Sequence, residues 1–280
     1  MYQGVRMARN KPSRNACAVV TGAGSGIGRA FALMLAERGG RVVCSDINLA
    51  SARETTDQII AQGGDALAVE TDVTSLDAVE ELARVANEWG KGQVNLVVNN
   101  AGVGVGGAPV GEIPMEDWRW AIDVNLWGVI HGCHVFAPLI RQHSCGGIIN
   151  VGSTASFAAA PRMGPYNVSK AAVLALTETL SAEMSGSGVH ITALCPTWVK
   201  TNIAKAGRIT GESSSLASKL IDRGWPPEKV VKQTLDALDR NQLYVVPQLD
   251  AKTVWRTKRL MPSLYARGLG LLNRLADARS

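Results

Sequence analysis

Tyr166 and Lys170 stand four residues apart in Tyr166-Asn167-Val168-Ser169-Lys170, and Ser153 precedes the tyrosine by thirteen. A phenol is a poor acid or base near neutrality, because its ordinary pKa is about 10. A lysine one helical turn away lies on the same face, and its positive charge favours the phenolate. A serine hydroxyl nearby can hold a substrate oxygen while the phenol exchanges a proton with it. The trio suits proton transfer to or from an alcohol or carbonyl oxygen. It leaves the carrier of the electrons open.

Glycines near the start of the chain point to that carrier. The apolar run Ala16-Cys17-Ala18-Val19-Val20-Thr21 reads as a buried strand, and Phe31 to Arg38 reads as a helix. Between them lies Gly22-Ala23-Gly24-Ser25-Gly26-Ile27-Gly28. Strand, glycine turn, helix is the context a dinucleotide-binding loop requires. Glycines let backbone N–H groups approach a pyrophosphate, and the helix N-terminus adds a positive dipole end. The next strand, Arg41 to Asp46, ends in a carboxylate eighteen residues past Gly28. An acid there accepts hydrogen bonds from the adenosine ribose and repels a 2′-phosphate, which favours NAD over NADP. Two alternatives stand beside this: Asp46 caps the following helix, or the loose cations Arg29 and Arg53 admit a phosphate.

Thr21-Gly22-x-x-x-Gly26-x-Gly28, Asn99-Asn100-Ala101-Gly102, Asn125, Ser153 and Tyr166-x-x-x-Lys170 occur in one order. Over residues 15 to 250 the chain resembles the short-chain dehydrogenase/reductase superfamily, in its compact single-domain, NAD(P)-dependent branch. The resemblance implies a catalytic set of Asn125, Ser153, Tyr166 and Lys170. In it Tyr166 is the general acid or base, Ser153 stabilises the substrate oxygen, and Lys170 binds the nicotinamide ribose and lowers the tyrosine pKa. The Asn125 main-chain carbonyl would help hold a water beside the lysine. Around the cofactor, Gly22, Ser25, Gly26, Ile27 and Gly28 would form the phosphate loop. Asp46 would meet the ribose, and Asp72 and Val73 the adenine. Asn100, Ala101 and Gly102 would close the fourth strand beside the cofactor. Pro196, Val199 and Thr201 would flank nicotinamide, with Thr201 on its carboxamide. One departure stands out: Thr197 follows Pro196 where the family usually writes glycine. A glycine permits positive φ and close approach; threonine is stiff. The substrate mouth near Thr197 and Trp198 is therefore expected to differ.

The implied reaction interconverts a secondary alcohol and a ketone with NAD. The alternatives are an NADPH-dependent carbonyl reductase and a non-catalytic dinucleotide-binding sensor, which has no need of all four catalytic residues together.

Strands alternate with helical stretches of a dozen or more residues, which predicts an α/β Rossmann-type fold. About seven parallel strands would form a doubly wound sheet with helices on both faces. No Pro, Ser or Gly linker divides the 280 residues, so residues 15–250 read as one domain. Apolar residues make up 46%, enough for a substantial core. The net charge of +5 is uneven. Residues 1–15 hold four cations and no acid, and residues 251–280 hold seven cations against Asp277. The body between is net acidic, which removes the main reason to expect nucleic-acid binding. Five cysteines, at 17, 44, 133, 145 and 195, show no paired spacing and fit a reducing, cytoplasmic setting. His131, Cys133 and His134, with His143 and Cys145, do not make a complete ligand set, so no metal is expected. Residues 1–14 form a basic tail without the apolar core of a secretory signal. The resemblance implies a homo-oligomer, a tetramer or a dimer.

Three variable parts remain. Trp118, Trp120 and Trp127 flank the helix carrying Asn125, and their helical spacing points to core or subunit packing for most of them, with a substrate-lining role for one as the alternative. Residues 202–225 read as a substrate loop. Ser213-Ser214-Ser215 with Gly207, Gly211 and Gly224 suggests mobility, while Ile203, Ala204, Ile209, Leu216, Leu220 and Ile221 give it an apolar side. That side, with small Ala158, Ala159 and Ala160 and Pro161 before Tyr166, leans toward a bulky, apolar substrate. After the last strand, Leu243 to Val246, residues 251–280 form a basic amphipathic extension interrupted at Pro262, Gly268 and Gly270. It reads first as a subunit contact or a cover for the substrate mouth, and second as a peripheral membrane contact.

Overall fold

The computed structural model describes residues 11–203, 207–210 and 212–277. Ala204, Gly211, Arg6, Arg9 and Arg279 lie outside them, and so do the side chains of Leu216 and Leu275. In chain order, β1 (Cys17–Thr21), α1 (Gly26–Glu37), β2 (Arg41–Asp46), α2 (Leu49–Ala61) and β3 (Asp65–Glu70) form the first half. Then α3 (Leu76–Trp89) leads to β4 (Val94–Asn99), a short β5 (Val105–Gly106), α4 (Met115–Ile122) and α5 (Gly128–Ile140). There follow β6 (Gly146–Val151), α6 (Ala155–Ala158), α7 (Gly164–Glu183) and β7 (Val189–Leu194). The chain closes with β8 (Arg208–Ile209), α8 (Glu212–Asp222), α9 (Pro227–Asp239), β9 (Tyr244–Val245), α10 (Leu249–Leu260) and α11 (Pro262–Asp277).

Seven strands pair in the order β3-β2-β1-β4-β6-β7-β9, and every pairing is parallel. Each strand returns through a helix on one face or the other, as parallel pairing demands. The expected doubly wound Rossmann-type sheet is present. Its central strands β1 and β6 are buried along their whole length, in keeping with apolar runs rather than alternation. One apolar layer packs α1 and α9 against the sheet through Phe31, Leu35, Leu235 and Leu238. The other packs α3, α5 and α7 through Leu82, Phe136, Ile140 and Val173.

The order of crossovers reverses between β1 and β4. Their C-terminal ends therefore splay apart, leaving a crevice at Gly22 and Asn100 where ligands of such sheets bind. Asparagines knit the strands behind it. Asn99 Nδ2 donates to Asn150 Oδ1 at 2.8 Å, and Asn150 Nδ2 donates to Thr177 Oγ1 at 3.0 Å. These bonds tie β4, β6 and α7 together.

The tail boundary shifts slightly from the expected one. Pro12 and Ser13 are buried, and Ser13 Oγ donates to Asp239 at 2.8 Å. Arg38, nearly buried, bonds Ser13 Oγ and Asp236 at 2.6 Å each and lies 3.5 Å from Asp239. Residues 12 and 13 thus belong to the body, sealed by charge pairing rather than left as a tail.

The described residues of the 202–225 segment hold more regular structure than serines and glycines suggest. β8 pairs in parallel with β5, and α8 buries Ala217 and Ile221. Small polar residues weaken a helix only mildly, and burial of the apolar stripe decides the outcome.

Candidate active site

A single cavity of about 590 Å³ runs from the glycine turn to the start of α7. Gly22, Ser25, Gly26 and Ile27 line one end. Asn100 and Gly102 form its floor, and Pro196, Val199 and Thr201 its far side. Ser153, Tyr166 and Lys170 line it together at the start of α7. Gly28, Asp46, Asp72, Val73, Ala101 and Asn125 do not line this cavity, although Gly28, Ala101 and Asn125 lie against residues that do.

The glycine turn is shaped by what side chains would obstruct. Gly22 has φ +64, and a Cβ on Gly28 would sit 2.1 Å from the Gly22 carbonyl oxygen. The chain can make this turn only without side chains there. A Cβ on Gly26, at φ +53, would meet Thr201 at 2.9 Å, so the turn and the Thr201 loop face each other across a narrow gap. Such a cradle, opening a 12-residue helix, fits a pyrophosphate, whose charge the helix N-terminus favours.

Asp46 holds this turn directly. Its Oδ2 accepts the Gly24 N–H and its Oδ1 the Asn48 N–H, both at 2.9 Å. The helix cap that Asp46 could have been is Asn48, whose Oδ1 accepts the Ser51 N–H. Arg29 is not a loose cation, contrary to expectation. Its guanidinium bonds the Gly24 carbonyl, Thr55 Oγ1 at 3.0 Å and Glu54 at 3.0 Å. Arg53 is exposed on α2. Asp72 Oδ1 accepts both the backbone N–H and the hydroxyl of Thr74, and Val73 is buried with its carbonyl 2.9 Å from His131 Nδ1. These two sit on the loop after β3, outside the cavity lining.

At the other end, Asn125 occupies a π-helical turn over Asp123–Trp127, a local irregularity that recurs at functional sites. Its side chain is fully buried and grips the Val103 backbone both ways, accepting at 2.7 Å and donating at 2.9 Å. It reaches Ser169 on α7 as well, at 3.3 Å. A Cβ on Gly102 would lie 3.0 Å from Asn125 Oδ1 and 3.3 Å from Lys170 Nζ, so the three meet closely. Lys170 Nζ donates to the Val151 carbonyl at 2.9 Å and lies 5.9 Å from the Tyr166 ring centroid.

Burial dominates the protonation here. It pushes the Tyr166 phenol above its ordinary value, against a hydrogen bond from Ser153. It pulls Lys170 down to about 8. The sequence predicts a phenol depressed by lysine; desolvation of the ring outweighs that expectation. Burial also drives the neighbouring Cys195 thiol up to about 12, so it stays protonated and unreactive. Among the described residues no group of His, Cys, Asp or Glu could hold a metal ion.

Thr197 has no positive φ, so this backbone does not need the family's glycine. Its N–H donates to Gln248 Oε1 at 3.2 Å and its hydroxyl to Asp250 Oδ1 at 3.3 Å, tethering the start of α10. Asp250 and Val254 of α10 line the cavity in turn.

The family model for short chain dehydrogenases matches residues 16–210. The chain belongs to the short-chain dehydrogenase/reductase family, a family of nicotinamide-dependent oxidoreductases. It is 35% identical over 255 residues to the probable oxidoreductase EphD of Mycobacterium tuberculosis, covering 87% of this chain and 43% of that one. The chain thus spans less than half the length of those family relatives. It is 33% identical to 1-deoxy-11-beta-hydroxypentalenate dehydrogenase of Streptomyces avermitilis, covering 85% of this chain and 90% of the other. Its fold matches a short-chain dehydrogenase/reductase from Burkholderia phymatum in complex with NAD, with a TM-score of 0.84 and 34% identity over 90% of this chain and 96% of that one.

Within this family frame, one set of residues escaped the motifs. Arg208 of β8 bonds Asp117 at 2.8 Å and stacks 4.2 Å over the Trp120 ring. Trp120 therefore anchors the segment that roofs the cavity instead of filling the core. Trp118 packs beside Gly164, and Trp127 is 48% exposed. Asp117 and Arg208 are 91 residues apart, and no local signal links them.

Proposed function

We propose that this protein is an NAD-dependent oxidoreductase that interconverts a bulky, apolar secondary alcohol and its ketone, with Tyr166 as general acid and base. The observation that carries the reading is one cavity with the glycine turn at one end and Ser153, Tyr166 and Lys170 together at the other. Bound nicotinamide would exchange a hydride with the substrate carbon. Ser153 would hold the substrate oxygen by its hydroxyl. Tyr166, a protonated phenol when buried and cofactor-free, would donate that proton to a ketone oxygen or, once drawn to the phenolate by Lys170, take one from an alcohol. Lys170, fixed to the Val151 carbonyl, keeps its charge beside the reacting oxygen, and the Asn125 turn would hold a water through which the proton reaches solvent.

The cofactor preference rests on Asp46. Each of its oxygens accepts one backbone bond and keeps capacity for a ribose hydroxyl, while its charge opposes a 2′-phosphate. Arg29, which bonds the same turn at Gly24, is also held by Glu54 and Thr55. The NAD-bound relative from Burkholderia is consistent with this choice. A bulky apolar substrate is supported by walls of Ala158, Pro161 and Met163 on one side and Ile209, Leu220 and Val254 on the other. The Streptomyces relative is likewise named for a hydroxyl-bearing substrate, 1-deoxy-11-beta-hydroxypentalenate.

Two experiments test the reading. Tyr166→Phe should fold and bind NADH while turnover of cyclic secondary alcohols falls by about a hundredfold or more; near-normal turnover would refute the mechanism. Titrating NAD(H) against NADP(H) should show NAD(H) with the higher kcat/KM, and Asp46→Ala should improve NADP(H) use by about tenfold. Better use of NADP(H) by the wild type favours the carbonyl-reductase alternative.

A further inference from the structure

α11 buries little, yet it is not featureless. Successive residues turn by about 100° around a helix, so Leu264, Gly268, Leu271 and Leu272 fall on one arc of about the same width. Tyr265, Leu269 and Asn273 occupy the adjoining arc. The burial agrees with that division. Leu264, Leu271 and Leu272 are 61%, 52% and 64% exposed, while Tyr265, Leu269 and Asn273 are partly covered. Tyr265 fixes the inner face, its hydroxyl donating to the Ala158 carbonyl at 2.8 Å. At the bend between α10 and α11, Leu260 and Met261 add exposed apolar surface at 78% and 48%. A soluble helix that packs on its own domain puts its leucines inward. Here, among the described leucines of α11, only Leu269 turns inward, and Leu264, Leu271 and Leu272 point out.

Cations border the same arc. Arg267 and Arg274 flank the leucines on one side of α11 by the same turn per residue, and Lys258 and Arg259 precede the bend. The acids in these two helices are Asp250, at the far N-terminal end of α10, and Asp277 at the end of α11. Net positive charge beside exposed leucines matches the boundary layer of an anionic bilayer, where headgroups pair with Arg and Lys while leucines enter the acyl region. A second copy of this chain would bring the same positive charge to the contact, which repels. No helix among the described residues is long and apolar enough to cross a membrane, so contact would be with one leaflet.

The position matters as much as the surface. Ala158, which Tyr265 holds, lines the cavity, and so does Val254 of α10. We propose that α10 and α11 dock this protein on an anionic lipid surface through Leu260, Leu264, Leu271 and Leu272 and their flanking arginines. The helices that would touch the leaflet also border the cavity, through Val254 and through Tyr265 on Ala158, which would bring the cavity close to apolar alcohols or ketones dissolved in the lipid. The docking itself does not depend on the catalytic reading.

The full-length protein, mixed with vesicles of phosphatidylcholine alone or with one third phosphatidylglycerol, tests this by sedimentation. Binding should be at least about tenfold tighter to the anionic vesicles and should weaken with salt, because each basic residue near the surface contributes about fivefold. Leu264→Glu with Leu271→Glu should abolish it. Ile60→Glu, at an exposed apolar site on α2, should not. Circular dichroism and NADH binding report that the variants fold. Absence of binding to either vesicle, or equal binding to both, overturns the proposal. So does concentration-dependent self-association without vesicles that the double leucine variant removes, which would seat a second copy on this face.

Discussion

Lys170 carries the tightest demands of any side chain in the cavity. Its amine is buried, bonded to Val151 and packed against Gly102, and burial lowers it to about 8. In the unfolded chain the same amine titrates near 10.5. Below about pH 8 both states carry the proton, and the cost of burying the charge is fully present. Between about 8 and 10.5 only the unfolded chain holds it, so stability rises with pH. Urea unfolding of the cofactor-free protein should show wild type gaining on Lys170→Met across that interval, by on the order of 3 kcal/mol in total. A constant difference would mean the lysine titrates as in solution. Asp46 and Thr197 make a related point. Asp46 earns its place first by bonding Gly24 and Asn48, and Thr197 by gripping Gln248 and Asp250.

At the scale of elements, the roof over the cavity depends on one long-range clamp. β8 has only two residues and pairs with an equally short β5, too little for independent stability. Asp117, Trp120 and Arg208 supply the missing fixation. Arg208→Ala should raise KM for the alcohol by about tenfold, equivalent to about 1.4 kcal/mol of lost closure. NADH affinity should stay within about twofold, since the glycine turn lies elsewhere. Steady-state kinetics with a parallel NADH titration separates the two. An unchanged KM would show that α8 alone holds the roof. The opposite wall has its own anchor, in which Asn167 Nδ2 donates to the Ala160 carbonyl at 2.7 Å. That bond restrains the small-residue loop between Ser153 and Tyr166.

Across the whole molecule, Arg38 joins Ser13, near the start of the described residues, to α9. Its guanidinium spans Ser13, Asp236 and Asp239 with 8% of the side chain exposed. Burial alone would raise the Asp236 carboxyl, but hydrogen bonds from Lys232 and Arg38 outweigh it and hold the carboxyl low. Removing the cation leaves two acids facing each other beside a buried serine. Arg38→Ala should cost about 3 kcal/mol in a thermal or urea unfolding transition, with kcat little changed because the site lies across the sheet. A loss under 0.5 kcal/mol, the level of an exposed pair, would contradict the buried network.

The amino-acid sequence by itself determined the layout of the sheet, the glycine turn and the order of Asn125, Ser153, Tyr166 and Lys170. Those features rest on local chemistry: apolar runs that must be buried, glycines where a side chain cannot fit, and a four-residue spacing that one helical turn enforces. Tertiary structure decided the rest. Whether Arg29 was free, whether Trp120 was core, and whether serines 213 to 215 lay in a loop depended on partners tens of residues away. The protonation of Tyr166 likewise followed from how deeply the fold buries it, which spacing does not encode. The C-terminal extension divides along the same line. Its charge and its leucines are legible in order, but which leucines face outward was set by Tyr265 reaching Ala158, a contact made 107 residues apart.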